Sequence, residues 1–397
     1  MELLQKTIKS LFSMESIEFG KEITEMERVK AYLMYQIYIN EKSLLVEKTI
    51  KNTSDLFEKI YLSINSIKIN EDDLLWYHCN AYYGYLAIDD NYDTILDFLK
   101  EIIGLIKEKD LKINFIIQFV NDLETTFANI EKMENDKNNV FIRRLRILGI
   151  QSFQILYPLI INGYRYFNNS KDYFVNFFKI IELLAFRISL IRINGNVKLN
   201  SRLDRIVGFN GNLNKLCTGI IDNFSGDEWR WTDESMEDVL NGSIYGKMTD
   251  NVLHYILKVY EEKISGKECP NLKKIWIEHI SPKSPRQEEN TGYELTKKYK
   301  YSKKFESEYL DCLGNLVLST AKQNRDLLGN KNFKDKLAIY NNPKLNLGLK
   351  QQEEIKLYVD KNDRPFWGYK EISLRHEKMV KFIMNEWGFI NIEKESR

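Results

Sequence analysis

Cysteine is scarce in this 397-residue chain, and its four copies, Cys79, Cys217, Cys269 and Cys312, form no C-x-x-C pair. That spacing argues against a disulfide framework and against a four-cysteine zinc site, and it fits a reducing cytoplasm. Proline is scarce too, with six copies, so long helices can run with few breakers. We therefore expect a cytoplasmic protein that is rich in helices.

Long apolar runs and a net charge are also missing. The first residues, MELLQK, lack the basic and apolar regions of a secretory signal. No apolar run reaches the roughly 18 residues of a membrane-spanning helix, so no membrane partner is expected. The 58 Lys and Arg balance 57 Asp and Glu, a formal net charge of +1, so partners must be sought in local charge.

Several common catalytic signatures are absent. The sequence contains no P-loop, no G-x-S-x-G, no Rossmann glycine fingerprint and no H-E-x-x-H. The chemistry of the enzyme classes that use these motifs is therefore not indicated.

Helical periodicity is what the sequence has in abundance. Up to about residue 265, apolar residues recur at three- and four-residue spacing, as they do in amphipathic helices. Residues 173–192 are apolar nearly all round, which predicts a central buried helix. We expect residues 1–265 to be a helical domain that positions DNA or docks a partner, and residues 346–397 to be a C-terminal helical segment, with a helix over 372–387, that packs on the rest.

The pattern changes near residue 266. Residues 274–280 and 313–319 are short runs rich in apolar and β-branched side chains, and each predicts a strand. Ser319 or Thr320 can cap a helix from Ala321 to about Leu328, with Gly329 near its end. The expected order is strand, long loop, strand, helix, in a separate domain over residues 266–345.

Four polar residues fall within this stretch: Glu278, His279, Asn315 and, nine residues later, Asn324. Their order resembles an HNH nuclease site, a ββα-metal finger in which a histidine at the end of the first strand is the general base. A carboxylate and an amide oxygen suit Mg²⁺ or Mn²⁺, and phosphodiester hydrolysis needs both a base and charge stabilisation. The resemblance implies catalytic roles for His279 and Asn315, Asn315 holding the loop and orienting His279 by a hydrogen bond. It implies metal-ligand roles for Glu278 and Asn324. The expected fold is mainly α with an embedded C-terminal ββα-metal (HNH) finger.

The runs WIEHISPK and LDCLGNLVLSTAKQNRDLLGNKNFKDKLAIY narrow this further. They resemble the C-terminal HNH domain of the GmrSD-type modification-dependent restriction endonucleases, in E/D-H-I-x-P, G-N-L-x-L, a helical Asn and a downstream F-x-x-K. The resemblance implies that Lys336 is a phosphate-contacting or structural lysine. KIIELLAFRISLIR resembles a helix of that family's middle region. The family's D-G-Q-Q/R nucleotide-binding motif is missing, so we expect either a separate nucleotide-binding subunit or a nuclease without that control.

Positive charge gathers in the same stretch. Residues 271–350 contain 16 Lys and Arg against 9 Asp and Glu, a net of +7. Lysines alternate with Tyr299 and Tyr301 in the loop between the strands, which suits phosphate contacts and stacking on DNA. We expect DNA contacts from Lys297, Lys298, Lys300, Lys303 and Lys304, and also from Lys336.

The sequence thus predicts a Mg²⁺- or Mn²⁺-dependent HNH DNA endonuclease of a bacterial restriction or anti-phage system, acting on DNA that includes modified phage DNA. Because one such site cuts one strand, a homodimer would serve double-strand cleavage. Two rivals stay open: a DNA- or partner-binding subunit with an inert finger, and a ribonuclease or toxin using the same finger.

Overall fold

The computed structural model describes residues 23–67, 69–84, 92–136, 139–149, 154–191, 199–224, 232–270, 272, 274–288, 290–359, 364–389 and 391–392. The chain is mainly helical, as predicted, and the part of it that the structure describes contains one sheet of two strands. No helix within these ranges is long and apolar enough to cross a membrane.

Among the residues that the structure describes, twelve helices precede the sheet. In chain order they are α1 (Glu25–Asn40), α2 (Val46–Ile64), α3 (Glu71–Tyr83), α4 (Ile95–Leu105), α5 (Lys109–Asn135), α6 (Val140–Leu148), α7 (Tyr157–Phe167), α8 (Lys171–Ile191), α9 (Leu199–Val207), α10 (Leu213–Phe224), α11 (Asp233–Leu240) and α12 (Asp250–Ser265). Their ends follow from local chemistry. Thr24 accepts a hydrogen bond from the Glu27 backbone in a capping box at α1, and Gly266 ends α12 in the left-handed conformation. The buried helix predicted over residues 173–192 is α8, whose side chains from Ile180 to Leu190 are buried.

The chain divides into two compact units. One lies within residues 1–143, 154–178 and 197–219, and the other within residues 144–153, 179–196 and 220–397. Helices of the first unit pack through their apolar stripes, chiefly α2 on α5 and α3 on α7. These units do not coincide with the domain boundaries expected at residues 265 and 345, which stay a prediction.

The second unit contains the predicted strand, loop, strand and helix in that order. Strands β1 (Ile275–His279) and β2 (Leu316–Thr320) are antiparallel, with Glu278 opposite Val317 and His279 opposite Leu316. Between the strands lie α13 (Lys303–Glu308) and a 3₁₀ turn (Leu313–Asn315), which occupies the start of the stretch predicted as the second strand. After β2 come α14 (Ala321–Gln323), continued by a π turn (Asn324–Leu328), then α15 (Phe333–Tyr340), α16 (Lys350–Glu353) with a 3₁₀ turn (Glu354–Leu357), and α17 (Tyr369–Trp387). We call residues 275–328 the ββα segment.

Elements beyond residue 345 close over the ββα segment. The Gln351 side chain accepts the Leu318 N–H at 2.9 Å, and the Gln352 side chain donates to the Leu318 carbonyl at 2.8 Å. These bonds satisfy the backbone of a strand whose outer edge would otherwise lack partners.

Helix α17 holds the turn that precedes β2. The fully buried guanidinium of Arg375 donates to the carbonyls of Leu313, Gly314 and Leu316 at 3.3, 2.9 and 2.7 Å. Helix α17 includes the helix predicted over residues 372–387. Through Arg375 it supports the turn that carries Asn315.

Candidate active site

A buried ion pair lies at the end of β1. Glu278 is 3 % exposed, and Lys336 of α15 is fully buried with its Nζ 2.5 Å from Glu278 Oε1. The same Nζ donates to the His279 carbonyl at 2.9 Å. Burial raises the pKa of Glu278 against the opposing charge of Lys336, and burial likewise lowers the pKa of Lys336. Lys336 thus fixes both the carboxylate and the adjacent backbone.

The other oxygen of this carboxylate faces α14. Thr320 caps α14 by accepting the Gln323 N–H at 3.0 Å, and Asn324 follows as the first residue of the π turn. The Asn324 side chain is in hydrogen-bond contact with Glu278 Oε2. Glu278 and Asn324, separated by 46 positions in the sequence, are therefore neighbours.

His279 is paired with a carboxylate that the sequence analysis missed. Its Nε2 lies 2.8 Å from Oδ1 of Asp311, in the loop before β2, and the imidazole is 9 % exposed. Burial raises the pKa of Asp311, but the hydrogen bonds and charges of His279 and Lys283 outweigh it, and the net pKa is lowered. An ionised Asp311 holds the ring proton on Nε2, which leaves Nδ1 as the basic nitrogen.

Two further side chains surround this pair. Lys283 Nζ lies 3.2 Å from the same Asp311 Oδ1 and 4.3 Å from the ring centroid of Tyr245. The Tyr245 ring meets His279 edge-on, with centroids 4.6 Å apart. The backbone N–H groups of Ile244 and Tyr245 donate to the Asp311 carbonyl at 2.9 and 3.0 Å. A loop that precedes the ββα segment by 30 residues thus lines the site.

Asn315 is the loop anchor that the sequence predicted, but it does not orient the imidazole as expected. Its Oδ1 accepts from the Ser281 N–H at 2.8 Å and from Trp367 Nε1 at 3.2 Å, and its Nδ2 donates to the carbonyls of Ser281 and Leu310. With the amide so engaged, the orienting hydrogen bond to His279 comes from Asp311, which corrects the prediction.

The donor set at Glu278 and Asn324 suits a divalent cation that prefers hard oxygen ligands. Lys336 holds Glu278 Oε1, and Glu278 Oε2 contacts the side-chain amide of Asn324. A flip of this amide would present its oxygen, instead of its nitrogen, to a cation bound beside Oε2. No cluster of three His, Cys, Asp or Glu that could hold a metal occurs among residues whose structure is described. The protein would supply two ligands, and water and phosphate the others, which is the mode of binding typical of Mg²⁺.

The lysines predicted to contact DNA fall into two groups. Lys336 is buried, so the geometry favours a structural role for it over the predicted contact with DNA phosphate. Tyr301 is also buried and stacks on Phe305 with centroids 4.4 Å apart, which leaves it unsuited to stacking on a base. The remaining five lysines are exposed, and their DNA contacts stay a prediction: Lys297, Lys298, Lys300, Lys303 and Lys304.

A comparison with protein families finds a match that includes the ββα segment. Residues 231–382 match the family model described as GmrSD restriction endonucleases, C-terminal domain. This confirms the resemblance that the motifs between residues 274 and 340 indicated, and it extends to both sides of them. No curated protein and no solved structure matches the chain.

Proposed function

We propose that this chain is a metal-dependent HNH endonuclease that hydrolyses DNA, a proposal supported by the match of residues 231–382 to the C-terminal domain of the GmrSD restriction endonucleases. The observation that carries the proposal is the contact between Glu278 and Asn324 at the end of β1, where His279 is the next residue along the strand. The ββα segment is then the HNH finger, and the site lies between its first strand and its helix.

The base is His279 in the proposed mechanism. With the Nε2 proton donated to Asp311, Nδ1 takes a proton from water, and the water oxygen forms a bond to phosphorus. The P–O3′ bond breaks in line, and the leaving oxygen takes a proton from solvent. Tyr245 packs against the ring edge and, with Asp311, restricts the imidazole to one orientation.

Glu278 and Asn324 would hold Mg²⁺ or Mn²⁺. Such an ion, when bound, stabilises negative charge on the phosphate and on the departing oxygen. Lys336 keeps the Glu278 carboxylate oriented but also neutralises it, so the affinity of the empty site for a cation should be low. We expect the metal to bind together with a phosphate, whose charge restores the attraction.

The proposal extends to the biological setting. A family of modification-dependent restriction enzymes implies defence against phage or foreign DNA, with modified phage DNA as a substrate. Cutting both strands would use two copies of the chain or two successive nicks. A nucleotide-binding subunit would act as a separate partner.

Cleavage of a supercoiled plasmid tests the proposal. Wild-type protein should nick or linearise unmodified plasmid or modified phage DNA with Mg²⁺ or Mn²⁺, and EDTA should stop it. His279→Ala should be inactive, whereas His254→Ala, which changes a histidine outside the site on α12, should cut normally. Cleavage of matched RNA but not DNA would show a ribonuclease instead. Binding without cleavage under every condition would show an inert finger.

A further inference from the structure

Lys283 is the exposed cation beside the general base. Its side chain is 50 % exposed, and its ammonium is held by the Asp311 carboxylate at 3.2 Å and the Tyr245 ring at 4.3 Å. His279 Nε2 uses the same Asp311 oxygen at 2.8 Å. The ammonium therefore lies within two hydrogen-bond lengths of the imidazole, whereas the other site lysine, Lys336, is closed off from solvent.

We propose that Lys283 binds a phosphate of the nucleic-acid strand next to His279, exchanging the Asp311 oxygen for a phosphate oxygen when substrate arrives. This inference rests on the proposed nuclease function and adds a substrate-binding residue to it. Lys283 belongs neither to the proposed metal ligands nor to the five lysines that the sequence predicted to contact DNA.

The geometry favours phosphate over a permanent structural role. A half-exposed Lys–Asp pair contributes little to stability, because solvent screens the two charges, so breaking it costs little. The Tyr245 ring attracts the ammonium weakly at an exposed position, and this contact can persist while the ammonium turns toward solvent. A phosphate oxygen is a stronger partner than a carboxylate already shared with His279, because Asp311 Oδ1 serves two donors.

The exchange also has a consequence for Asp311. Once Lys283 has moved to phosphate, the shared oxygen serves His279 alone. Substrate binding and support of the imidazole are then coupled through one carboxylate, and the site does not need a change in backbone to respond to substrate.

The test measures binding in a background that cannot cut. His279→Ala protein is titrated into a short fluorescent DNA duplex in EDTA at several salt concentrations, and the slope of log K against log [salt] is recorded. Lys283→Gln in that background should weaken binding and lower the magnitude of the slope by about 0.9, the release expected for one phosphate contact on duplex DNA. Lys283→Arg should restore the slope.

The matched control is Lys263→Gln. Lys263 is 63 % exposed and pairs with Glu386 at 2.8 Å, so it repeats the exposed lysine–carboxylate pair away from the site. Its slope should equal that of the parent. With the His279 side chain restored and metal present, Lys283→Gln should raise KM more than it lowers kcat.

The outcomes separate the two proposals. An unchanged slope in Lys283→Gln, with normal binding by the parent, overturns the role of Lys283 and leaves the nuclease function standing. An equal loss of slope in Lys263→Gln overturns it too, because the effect would then be general charge. If the parent binds neither DNA nor RNA in EDTA, and wild type cuts neither with Mg²⁺ or Mn²⁺, the proposed function fails together with this inference.

Discussion

Replacement of Lys336 by methionine should destabilise the second compact unit strongly. The substitution keeps the length of the side chain but removes the charge facing Glu278 and the donor to the His279 carbonyl, both inside the protein. Glu278 is 3 % exposed, so its carboxylate cannot turn to water for compensation. Removing one partner of a buried ion pair costs about 3–5 kcal/mol, because the other charge stays buried alone.

This cost converts into a measurable shift in melting temperature. For a folded unit of about 150–250 residues, 1 kcal/mol corresponds to roughly 2–4 °C. Lys336→Met should therefore lower the melting temperature of the second unit by roughly 6–20 °C. Differential scanning calorimetry in EDTA measures it without any contribution from bound metal.

A double-mutant cycle gives the result that could refute the reasoning. Glu278→Gln alone leaves a buried ammonium and should also destabilise, but Glu278→Gln with Lys336→Met leaves no buried charge. The double variant should be more stable than the sum of the single effects predicts, by at least about 2 kcal/mol. Additive effects would mean that the pair is not coupled, and the account of the site would be wrong. Lys263→Met, in the exposed pair with Glu386, should change stability by no more than about 1 kcal/mol.

Three further predictions concern the surroundings of the base. Asp311→Asn should lower kcat by about 10²–10⁴ with little change in KM, because the amide can present its N–H to His279 Nε2 and so favour the tautomer with its proton on Nδ1. Steady-state cleavage measures kcat and KM, and an unchanged kcat would remove Asp311 from the mechanism. Asn315→Ala should cost about 3 kcal/mol or more, because it leaves several buried backbone groups unpaired, and a melting temperature within about 2 °C of wild type would contradict this. Gly314→Ala should give protein that folds poorly, since the added Cβ would overlap the Ile372 carbonyl; normal soluble yield and melting would show that α17 can move away.

The strands and the helix of the site could be predicted from local patterns, because a short run of neighbouring residues determines each of them. The strands around residues 275–279 and 316–320 follow from apolar and β-branched runs, and the helix after Thr320 follows from its cap. The order of Glu278, His279 and Asn324 along the chain then assigned the proposed base and metal ligands to those elements. Proximity of these residues in the structure agrees with that order.

Asp311, Lys283 and Tyr245 could not be found in the same way. Tyr245 belongs to a loop that has no periodic pattern, and its contact with His279 spans 34 positions. Asp311 lies 32 positions after His279, and its role depends on how the loop before β2 returns to the first strand. Such contacts depend on tertiary packing, which local periodicity does not encode.

Burial of Lys336, by contrast, had a signal that could have been used. Phe333, Lys336 and Tyr340 follow one another at three- and four-residue spacing on α15, and all three are buried. A lysine on the apolar stripe of a helix indicates an internal acidic partner rather than a surface for phosphate. Glu278 is that partner.

The hydrogen bonds from Arg375 to the turn before β2 have a consequence for the order in which the site forms during translation. Every residue proposed for the chemistry is translated before α17, yet the carbonyls of Leu313, Gly314 and Leu316, around Asn315, take hydrogen bonds from Arg375 of that helix. A nascent or prematurely terminated product would carry the residues of the nuclease without the support that arranges them. Under the proposed function, nuclease activity would therefore arise only after translation has passed α17.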